Sequence, residues 1–533
     1  MHDILIRGAS VVDGTETPRY TADVAITGDT ITAIGTDLGA AHRTIDADGL
    51  ALSPGFIDMH AHSDLQVFLN PEHPSRITQG VTCEVIGQDG LSYAPVSDET
   101  LSVVRRQIAG WNTNPDDFDF SWRTVGEYLD EIDARRTATN LAYLVPHGLL
   151  RGLARGFDDG GATPEQVARM QEILAQGLRE GAVGLSTGLT YTPAMYADDA
   201  ELAALMRTTG ELGGYFSPHH RSYGAGAMEA YREMIDLSRR TGCPLHLAHA
   251  TLNFGPNKGR APELLDLLDE AVAAGADISL DTYPYLPGAT TLAAILPSWA
   301  ASGGADATLD RLRDPAALDR IREHLEHTGS DGCHGVIAEW NTIEISGVGS
   351  DALVPYVGRT IAQIAAAEDR DPFDVCIGIL LDDRLATGIL QHVGHEENVR
   401  AIMRHPRHTG GSDGLLVGGK PHPRAWGTFA RYLGHYSRDL GLMSLEECVG
   451  HLTGRAARRL RLVRRGFVRE GYAADLALFD PDAVIDRATY DEPRTPAAGF
   501  THVLVRGVPA LDDGHPTGAL AGGALRLTEE GVL

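Results

Sequence analysis

The chain between about residues 52 and 465 alternates two kinds of hydrophobic pattern. Short apolar runs bounded by glycine, proline or polar residues predict buried strands. Longer segments with apolar residues at i, i+3, i+4 and i+7 predict amphipathic helices, as in TPEQVARMQEILAQGLREG, AMEAYREMIDLSRRTG and APELLDLLDEAVAAG. The predicted strands lie within ALSPGFIDMHAH, VTCEVIGQ, ATNLAYLVPH, GAVGLSTG, GGYFSPHH, PLHLAHA, DISLDTYP and RHTGGSDG. Because about eight strand–helix repeats follow one another, we predict an α/β fold with a (β/α)8 TIM barrel.

Both ends of the chain show a different pattern, in which apolar and polar residues alternate between breaks of glycine and aspartate. The alternating segments are ILIRGASVVDG, DVAITGDTITAIG, DLALFDPDAVI, GFTHVLVRGVPAL and GGALRLTEEG. We therefore expect residues 1–51 and 466–533 to form one small β-sandwich domain beside a barrel of residues 52–465. The stretch 290–345 is too long for one connection, so we interpret it as a helical insertion near the barrel mouth.

Composition narrows the classes of partner. The chain has 43% hydrophobic and 22% charged residues, as ordinary globular proteins do, and a net charge of −28. Such a charge repels phosphates, which disfavours nucleic acids and anionic membranes as partners. The five cysteines are odd in number and never form a CxxC pair, and neither a signal peptide nor a membrane-spanning run is evident. We predict a cytoplasmic protein with a small-molecule substrate, and a homo-oligomer is compatible with the sequence.

Two histidines follow the first predicted barrel strand. His60 and His62 in PGFIDMHAHSD are two residues apart, a spacing that places both imidazoles on one face of a strand. The carboxyl ends of barrel strands form the active-site mouth, so this pair is a candidate for metal binding. An ordinary buried or surface pair of histidines is the alternative.

His219 and His249 end two further predicted strands, in GGYFSPHH and PLHLAHA. Either residue alone is equally well explained as a hydrogen-bonded core histidine. Four histidines at three strand ends favour a shared metal site. The neighbouring His246 lies in mid-strand, and His220 would serve if the strand were shifted by one residue.

Asp413 in GGSDG follows the last predicted barrel strand, between glycines that allow a ligand to approach the backbone. A carboxylate at this place can contact a metal and act first as general base and then as general acid. The alternative is an aspartate that only stabilises a turn. Imidazole and carboxylate ligands with open positions suit Zn²⁺.

A resemblance to a known family covers nearly the whole chain. The blocks that carry it, in order, are VVDGTETP, PGFIDMHAHSD, GVTCEVIGQDGLSYAP, GAVGLSTGLTYTPAMYA, HHRS, LAHA, DTYPYLPGATTL, GGSDG, HPRAWGTF and ADLALFDPDAVIDRATYDEPRTPAAGF. They resemble the N-acyl-D-amino-acid deacylases (D-aminoacylases) of the amidohydrolase superfamily. The resemblance implies a barrel with a β-sandwich, one or two zinc ions, and hydrolysis of N-acyl-D-amino acids to a carboxylate and a free D-amino acid.

The resemblance also implies roles for the candidate ligands. The family's more exposed metal position matches His60, His62 and Asp413. Its tightly held zinc matches His219 and His249. Other branches of the superfamily, such as hydantoinases and dihydroorotases, use a carboxylated lysine that bridges two metals.

The block GQDG departs from the family, which commonly reads GNCG with the cysteine as a zinc ligand. Asp89 stands in the place of that cysteine and is the expected replacement, with Cys83 and Glu84 as alternatives earlier in the same strand. The only lysines, Lys258 and Lys420, lie outside the fourth-strand block GAVGLSTGL, so a carboxylated lysine is not expected.

Substrate recognition shows a second departure. Tyr283 matches a tyrosine that family members direct at the substrate carboxylate, and Arg221 completes a His-x-Arg pattern. Where the family often has a lysine after the sixth strand, this chain has Thr251. Lys258 and Arg260 are candidates to replace that lysine, or are solvated loop charges. The apolar run TTLAAILPSW favours a hydrophobic over an acidic substrate side chain.

We expect Asp413 to take a proton from a water activated by zinc and to pass it to the departing amine. His147 or Tyr191 is a candidate to stabilise the oxyanion, unless these side chains only pack in the core. The competing hypotheses are another amide hydrolase, such as a dipeptidase, hydantoinase or dihydroorotase, and a non-catalytic barrel scaffold.

Overall fold

The protein is described from a computed structural model of residues 1–533. Its strands are β1 (His2–Val11), β2 (Tyr20–Thr27), β3 (Thr30–Gly35), β4 (Ala41–Asp46), β5 (Ala51–Pro54), β6 (Phe56–Asp58), β7 (Val81–Ile86), β8 (Asn140–Pro146), β9 (Gly184–Gly188), β10 (Tyr215–His219), β11 (Leu245–Leu247), β12 (Ile278–Thr282), β13 (Gly288–Thr291), β14 (Ile343–Gly347), β15 (Gly388–Gln391), β16 (His408–Gly410), β17 (Leu476–Phe479), β18 (Phe500–Val505), β19 (Val508–Asp512), β20 (His515–Pro516) and β21 (Ala524–Leu525).

The α-helices are α1 (Gln66–Leu69), α2 (Pro74–Ile77), α3 (Asp98–Gln107), α4 (Ala109–Asn112), α5 (Val125–Arg135), α6 (His147–Ala154), α7 (Pro164–Arg179), α8 (Asp199–Glu211), α9 (Ala227–Thr241), α10 (Ala261–Ala273), α11 (Ser298–Ala301), α12 (Gly304–Arg311), α13 (Pro315–Glu323), α14 (Ile361–Glu368), α15 (Pro372–Asp382), α16 (Glu396–Met403), α17 (Arg424–Arg431), α18 (Leu445–Gly450) and α19 (Ala456–Leu460). The three helices expected from periodicity correspond to α7, α9 and α10. A capping box between Thr163 and Gln166 begins α7, with Pro164 in its first turn. No helix combines the length and the apolar character needed to cross a membrane.

Eight parallel strands form the barrel in the order β6, β7, β8, β9, β10, β11, β12 and β16. The Met59 N–H donates to the Gly410 carbonyl at 3.1 Å and the Asp413 N–H to the His60 carbonyl at 2.8 Å, so the last strand closes on the first. Every residue of β7 and β8 is buried, as the continuous apolar runs of a parallel sheet require. Each of the eight predicted runs contains one barrel strand, and the predicted (β/α)8 barrel is confirmed.

A second, nine-stranded sheet is built from the two ends of the chain. Its order is β20, β19, β18, β17, β5, β1, β2 and β3, and β4 pairs with β1. One face buries a core that includes Ile6, Val24, Ile26, Leu476 and Leu504. We propose that this sheet is a composite domain of both chain ends. Only Gly55 separates β5 from β6, so the sheet leads directly into the strand that carries the first histidine pair.

The last segment of the chain departs from the expectation. GGALRLTEEG contributes β21, which pairs in parallel with the barrel strand β8 and not with the terminal sheet. Leu525 and Val532 are buried in a core cluster with Met59, Val85 and Leu144 of the barrel. The alternating pattern predicted a strand, but the partner of that strand depends on which core its apolar residues complete.

The connection between β12 and β16 spans residues 283–407 and contains the predicted 290–345 insertion. It holds α11 to α16 and an antiparallel sheet in the order β13, β15 and β14, so it is mixed α/β and longer than the helical insertion expected. Its own core includes Ile295, Leu325, Ile343, Ile377 and Ile389. Short strands that pair with partners far away in sequence give little local signal, which explains the difference.

Candidate active site and metal centre

Six side chains predicted as metal ligands meet at the carboxyl ends of five barrel strands, β6, β7, β10, β11 and β16. Their ligand atoms form two groups, each within 4.8 Å, and the groups share Asp89. One group is His60, His62, Asp89 and Asp413, and the other is Asp89, His219 and His249. We call these six residues the His/Asp cluster.

Asp89 lies at the centre of the His/Asp cluster. Its Oδ1 is 3.5 Å from His60 Nε2 and 3.4 Å from His249 Nε2. Its Oδ2 is 3.5 Å from both His62 Nε2 and His219 Nδ1. One carboxylate therefore faces both groups of histidines, and each of its oxygen atoms lies near one histidine of each group.

Asp413 lies at the edge of the cluster. Its Oδ1 is 3.1 Å from His62 Nε2, and its Oδ2 is 2.8 Å from Arg424 Nη2. Asp89, His249 and Asp413 all have left-handed backbones, with φ of 54°, 30° and 48°. Such conformations are rare outside glycine and are retained where the surrounding structure holds them for a function.

The electrostatics of the cluster keep its two carboxylates ionised. Burial acts to raise the pKa of Asp89, but the charges of His60, His249 and His219 lower that pKa well below its ordinary value. Burial likewise opposes ionisation of Asp413, whose pKa the Arg424 guanidinium nevertheless holds well below the usual range. Both carboxylates are therefore ionised at neutral pH and can act as ligands.

Several polar atoms of the cluster are buried without a hydrogen-bond partner. They are both ring nitrogens of His60, Nδ1 of His62 and Oδ1 of Asp89. Buried polar atoms are normally paired, because an unpaired atom costs about 1–3 kcal/mol. A cation bound among these atoms removes that cost, and the imidazole and carboxylate donors fit Zn²⁺.

Asp281 supports the cluster from within the barrel. Its Oδ1 accepts the backbone N–H of His249 at 2.9 Å, and its Oδ2 is 3.8 Å from His60 Nδ1. His246 Nε2 lies 2.9 Å from the same Oδ2. The mid-strand His246 is thus a partner of Asp281 and lies outside the cluster.

His220, Cys83 and Glu84, which the sequence offered as substitute ligands, also lie outside the cluster. His220 is buried against two tyrosine rings and its ring nitrogens have no hydrogen-bond partner. Burial raises the pKa of the Cys83 thiol, which keeps it protonated. Glu84 accepts from Arg76 Nε at 2.8 Å and lies 2.8 Å from His73 Nε2, so it is part of a buried structural ion pair.

A cleft opens above the cluster, and two of the predicted substrate-binding residues line it, Tyr191 and Tyr283. The Tyr191 hydroxyl is 3.0 Å from Thr290 Oγ1. Tyr283 packs against Arg424, whose guanidinium carbon is 4.4 Å from the ring centre. Burial raises the pKa of Tyr283 to about 12, so its hydroxyl stays a hydrogen-bond donor.

The structure corrects the predictions for Arg221 and His147. Arg221 does not reach the cleft, because its Nε binds Glu233 at 2.8 Å and its remaining nitrogens bind backbone carbonyls. His147 is fully buried, with Nδ1 2.8 Å from Thr187 Oγ1 and Nε2 2.7 Å from Glu201 Oε1. Both side chains are fixed in structural networks, and neither is available to substrate or oxyanion.

Neither candidate replacement for the family's lysine reaches the cleft. Lys258 is exposed on the loop before α10, and Arg260 Nη2 pairs with Glu263 at 2.7 Å. Both are solvated loop charges, the second of the two interpretations of the sequence. Thr251 itself lines the cleft.

Arg424 and Trp111 are site residues that sequence reasoning missed. Arg424 has no exposed surface, and its Nε and Nη1 have no hydrogen-bond partner. Its segment HPRAWGTF contributes to the family resemblance, and an arginine in an otherwise apolar stretch close after Asp413 was the available signal. Trp111, whose ring centre lies 5.0 Å from that of His62, follows no sequence pattern that distinguishes it from a core residue.

A family model described as the amidohydrolase family matches residues 43–510. The chain belongs to the amidohydrolase family. The resemblance found in the sequence is thereby confirmed, and the shared region of this amidohydrolase includes the whole barrel and the His/Asp cluster.

Relatives of this amidohydrolase match over nearly their full length. A D-aminoacylase of Alcaligenes xylosoxydans xylosoxydans is 33% identical over 99% of this chain and 98% of its own. An N-acyl-D-glutamate deacylase of the same organism is 34% identical over 97% and 95%. The solved N-acyl-D-glutamate deacylase of Bordetella bronchiseptica, complexed with zinc and a phosphonate mimic of the tetrahedral intermediate, has a TM-score of 0.83 and 32% identity and covers 98% of this chain and 99% of its own.

We predict that Asp89→Ala lowers the zinc affinity of this amidohydrolase at least about a hundredfold, because one carboxylate faces both ligand groups. Asp89→Cys should keep most of the affinity, since thiolate is a normal zinc ligand. Zinc content after dialysis against graded chelator measures both. Asp117→Ala, which removes an exposed carboxylate, is the control. Full zinc retention by Asp89→Ala would contradict the assignment.

Proposed function

We propose that this amidohydrolase hydrolyses the amide bond of N-acyl-D-amino acids to a carboxylate and a free D-amino acid, with one or two zinc ions as cofactor. The observation that carries the proposal is the pair of ligand groups that share Asp89, with Asp413 at their edge and an open cleft above. The deacylase and D-aminoacylase relatives, similar over nearly the full chain, support the choice of substrate.

The residues that would hold zinc are His60, His62 and Asp413 on one side and His219 and His249 on the other, with Asp89 between them. Zinc, when bound, acts as a Lewis acid toward water and the amide carbonyl. Burial of the cluster excludes bulk water and strengthens the interaction between its charged groups.

Asp413 is placed to move the proton. As an ionised carboxylate it accepts a proton from the attacking water through Oδ1, while the Arg424 guanidinium holds Oδ2 at 2.8 Å. The protonated Asp413 then donates to the departing amine, so the same carboxyl serves as base and acid. The barrel closes between β6 and β16, which fixes the backbone of Asp413 next to that of His60.

Arg424 and Tyr283 are the candidate partners of the substrate α-carboxylate. Arg424 carries two guanidinium nitrogens without a hydrogen-bond partner and stacks on Tyr283, which lines the cleft. Thr251 occupies the place of the family's lysine, so the positive charge that binds the substrate carboxylate must come from another element. Arg424, the first residue of α17, supplies that charge.

The competing functions are less well supported by the geometry. A carboxylated lysine of the hydantoinase or dihydroorotase type would need a lysine in the cluster, but Lys258 is exposed and Lys420 pairs with Asp491 at 3.2 Å. A scaffold has no use for the unpaired buried atoms of His60 and Asp89, which would only reduce its stability.

We also propose a cytoplasmic location and a small-molecule partner. All five cysteines are buried thiols, a state that a reducing compartment preserves. The net charge of −28 favours a small substrate over nucleic acid. A homo-oligomer stays a prediction, which light scattering tests.

Matched N-acetyl-D- and N-acetyl-L-amino acids test the proposed function. Release of free amine should occur in the D series only, should require zinc, and should stop on chelation and return when zinc is restored. Cleavage of cyclic ureides such as hydantoins, without cleavage of either N-acetyl series, would replace the proposal with the hydantoinase hypothesis.

Asp413→Asn should lower kcat by about a hundredfold to ten-thousandfold, because the amide cannot take the proton from water. The zinc content should stay close to that of the parent protein, since five ligands remain. Measuring kcat and zinc on the same preparation separates the two effects, with Asp117→Asn as the exposed control. An unchanged kcat would remove Asp413 from the proton transfer.

Arg424→Met should raise KM for N-acetyl-D-leucine at least about tenfold, since a buried charge–carboxylate contact is lost. It should change KM little for N-acetyl-D-leucinamide, which lacks the carboxylate. Because Arg424 lowers the pKa of Asp413, its removal raises that pKa, and the acid limb of the kcat profile should move to higher pH. Equal losses for both substrates, with no shift of the profile, would indicate a structural role only.

A further inference from the structure

A second cavity lies behind two aromatic rings of the cleft. The rings of Trp111 and Tyr191 line the cleft on one side and this cavity, the rear chamber, on the other. The rear chamber contains about 100 Å³ of space that the centre of a water molecule can reach. The Trp111 ring centre is 5.0 Å from that of His62, and the Tyr191 ring centre is 4.9 Å from that of His219. One layer of side chains therefore separates the His/Asp cluster from the chamber.

The walls of the rear chamber are mainly apolar. Barrel loops and the insertion contribute Leu91, Val103, Phe157, Met195, Leu296 and Leu385. The run TTLAAILPSW, from which we predicted a hydrophobic substrate side chain, supplies part of this wall through Ala293, Ala294 and Leu296. Two charged side chains also line the chamber. Arg384 is exposed, and Arg106 is 42% exposed in its side chain and pairs with Asp306, so both belong to the rim. A concave and largely apolar space next to a polar centre is typical of a binding site for a hydrophobic group.

The two rings are held by packing and by few side-chain hydrogen bonds. Trp111 Nε1 is buried and has no hydrogen-bond partner, and the Tyr191 hydroxyl makes one side-chain contact, with Thr290 Oγ1 at 3.0 Å. The rings meet edge to face at 5.2 Å between their centres. A rotation of either side chain breaks at most this one side-chain hydrogen bond, together with the ring contacts, and would make the cleft and the rear chamber continuous.

The chemistry fixes which half of the substrate faces the chamber. Asp413 donates to the departing amine, so the amino-acid half must lie beside Asp413, next to Arg424 and Tyr283. The acyl half extends from the scissile carbon away from the amino-acid half, and the rings of Trp111 and Tyr191 flank the cluster beside His62 and His219. An acyl group that extends past these rings enters the rear chamber.

We propose that the rear chamber receives the acyl group, and that this amidohydrolase prefers N-acyl-D-amino acids with a long aliphatic acyl chain over N-acetyl substrates. The inference rests on the proposed function and adds the substrate class. Each methylene buried in an apolar site stabilises binding by about 0.8 kcal/mol, equivalent to about a fourfold gain in kcat/KM. An N-octanoyl substrate, with six more methylenes than N-acetyl, should gain at least about tenfold even if only two are fully buried.

Filling the rear chamber tests the assignment. Ala305 of α12 and Ala294 line the chamber, and Ala305→Phe or Ala294→Phe should lower the octanoyl-to-acetyl ratio of kcat/KM at least about tenfold. The side chain of Asp310, on the same helix, is 83% exposed. Asp310→Phe therefore introduces the same ring outside the chamber and should leave the octanoyl-to-acetyl ratio unchanged. The two chamber variants lie on different elements, so a folding defect in one does not remove the test.

Ligand binding separates this inference from the proposed function. Calorimetry on the zinc-loaded protein should show octanoate binding at least about tenfold tighter than acetate, and Ala305→Phe should abolish that difference. If no N-acyl-D-amino acid is hydrolysed but octanoate shows this pattern, the function fails and the chamber assignment stands. If N-acetyl substrates are hydrolysed, while the octanoyl chain gains nothing and octanoate binds no tighter than acetate, the chamber assignment is wrong and the function stands.

Discussion

The contact on which the site depends is that between the Asp89 carboxylate and four buried histidines. The two carboxylate oxygens of Asp89 lie 3.4–3.5 Å from imidazole nitrogens that follow three barrel strands. One negative charge therefore interacts with the histidines of both ligand groups. The turn GQDG makes this possible. A Cβ on Gly90 would lie 2.7 Å from the Gly188 amide nitrogen, and only glycine lets the turn approach β9 so closely. The left-handed backbone of Asp89 then directs its side chain into the mouth.

The rest of the fold holds the partners of that carboxylate at fixed distances. Closure of β6 against β16 places His60 and Asp413 on adjacent backbones, while Asp281 fixes the backbone of His249 from inside the barrel. The insertion adds the outer wall of the cleft and of the rear chamber. The metal ligands thus follow the barrel strands, and many residues that line the substrate space belong to the connection after β12.

The sequence predicts well those features that depend on short-range patterns. The ends of predicted strands identified His60, His62, His219, His249 and Asp413 as site residues. Asp89 was identified because it stands where the family commonly has a cysteine ligand. Features that depend on distant partners were missed. The hydrogen bond to Glu201 turns His147 away from the cleft, and the packing against Tyr283 places Arg424 at the site. The sheet of the insertion and the docking of β21 likewise depend on pairings that no local periodicity encodes.

The joining of the two chain ends has a consequence for biosynthesis. β5 lies between β1 and β17, and β8 acquires β21 from the last ten residues, so contacts that complete both sheets link the first and last parts of the chain. A polypeptide that emerges from the ribosome in order cannot form them until β17 and β21 have been synthesised. High contact order of this kind makes folding slow and leaves strand edges exposed to aggregation meanwhile.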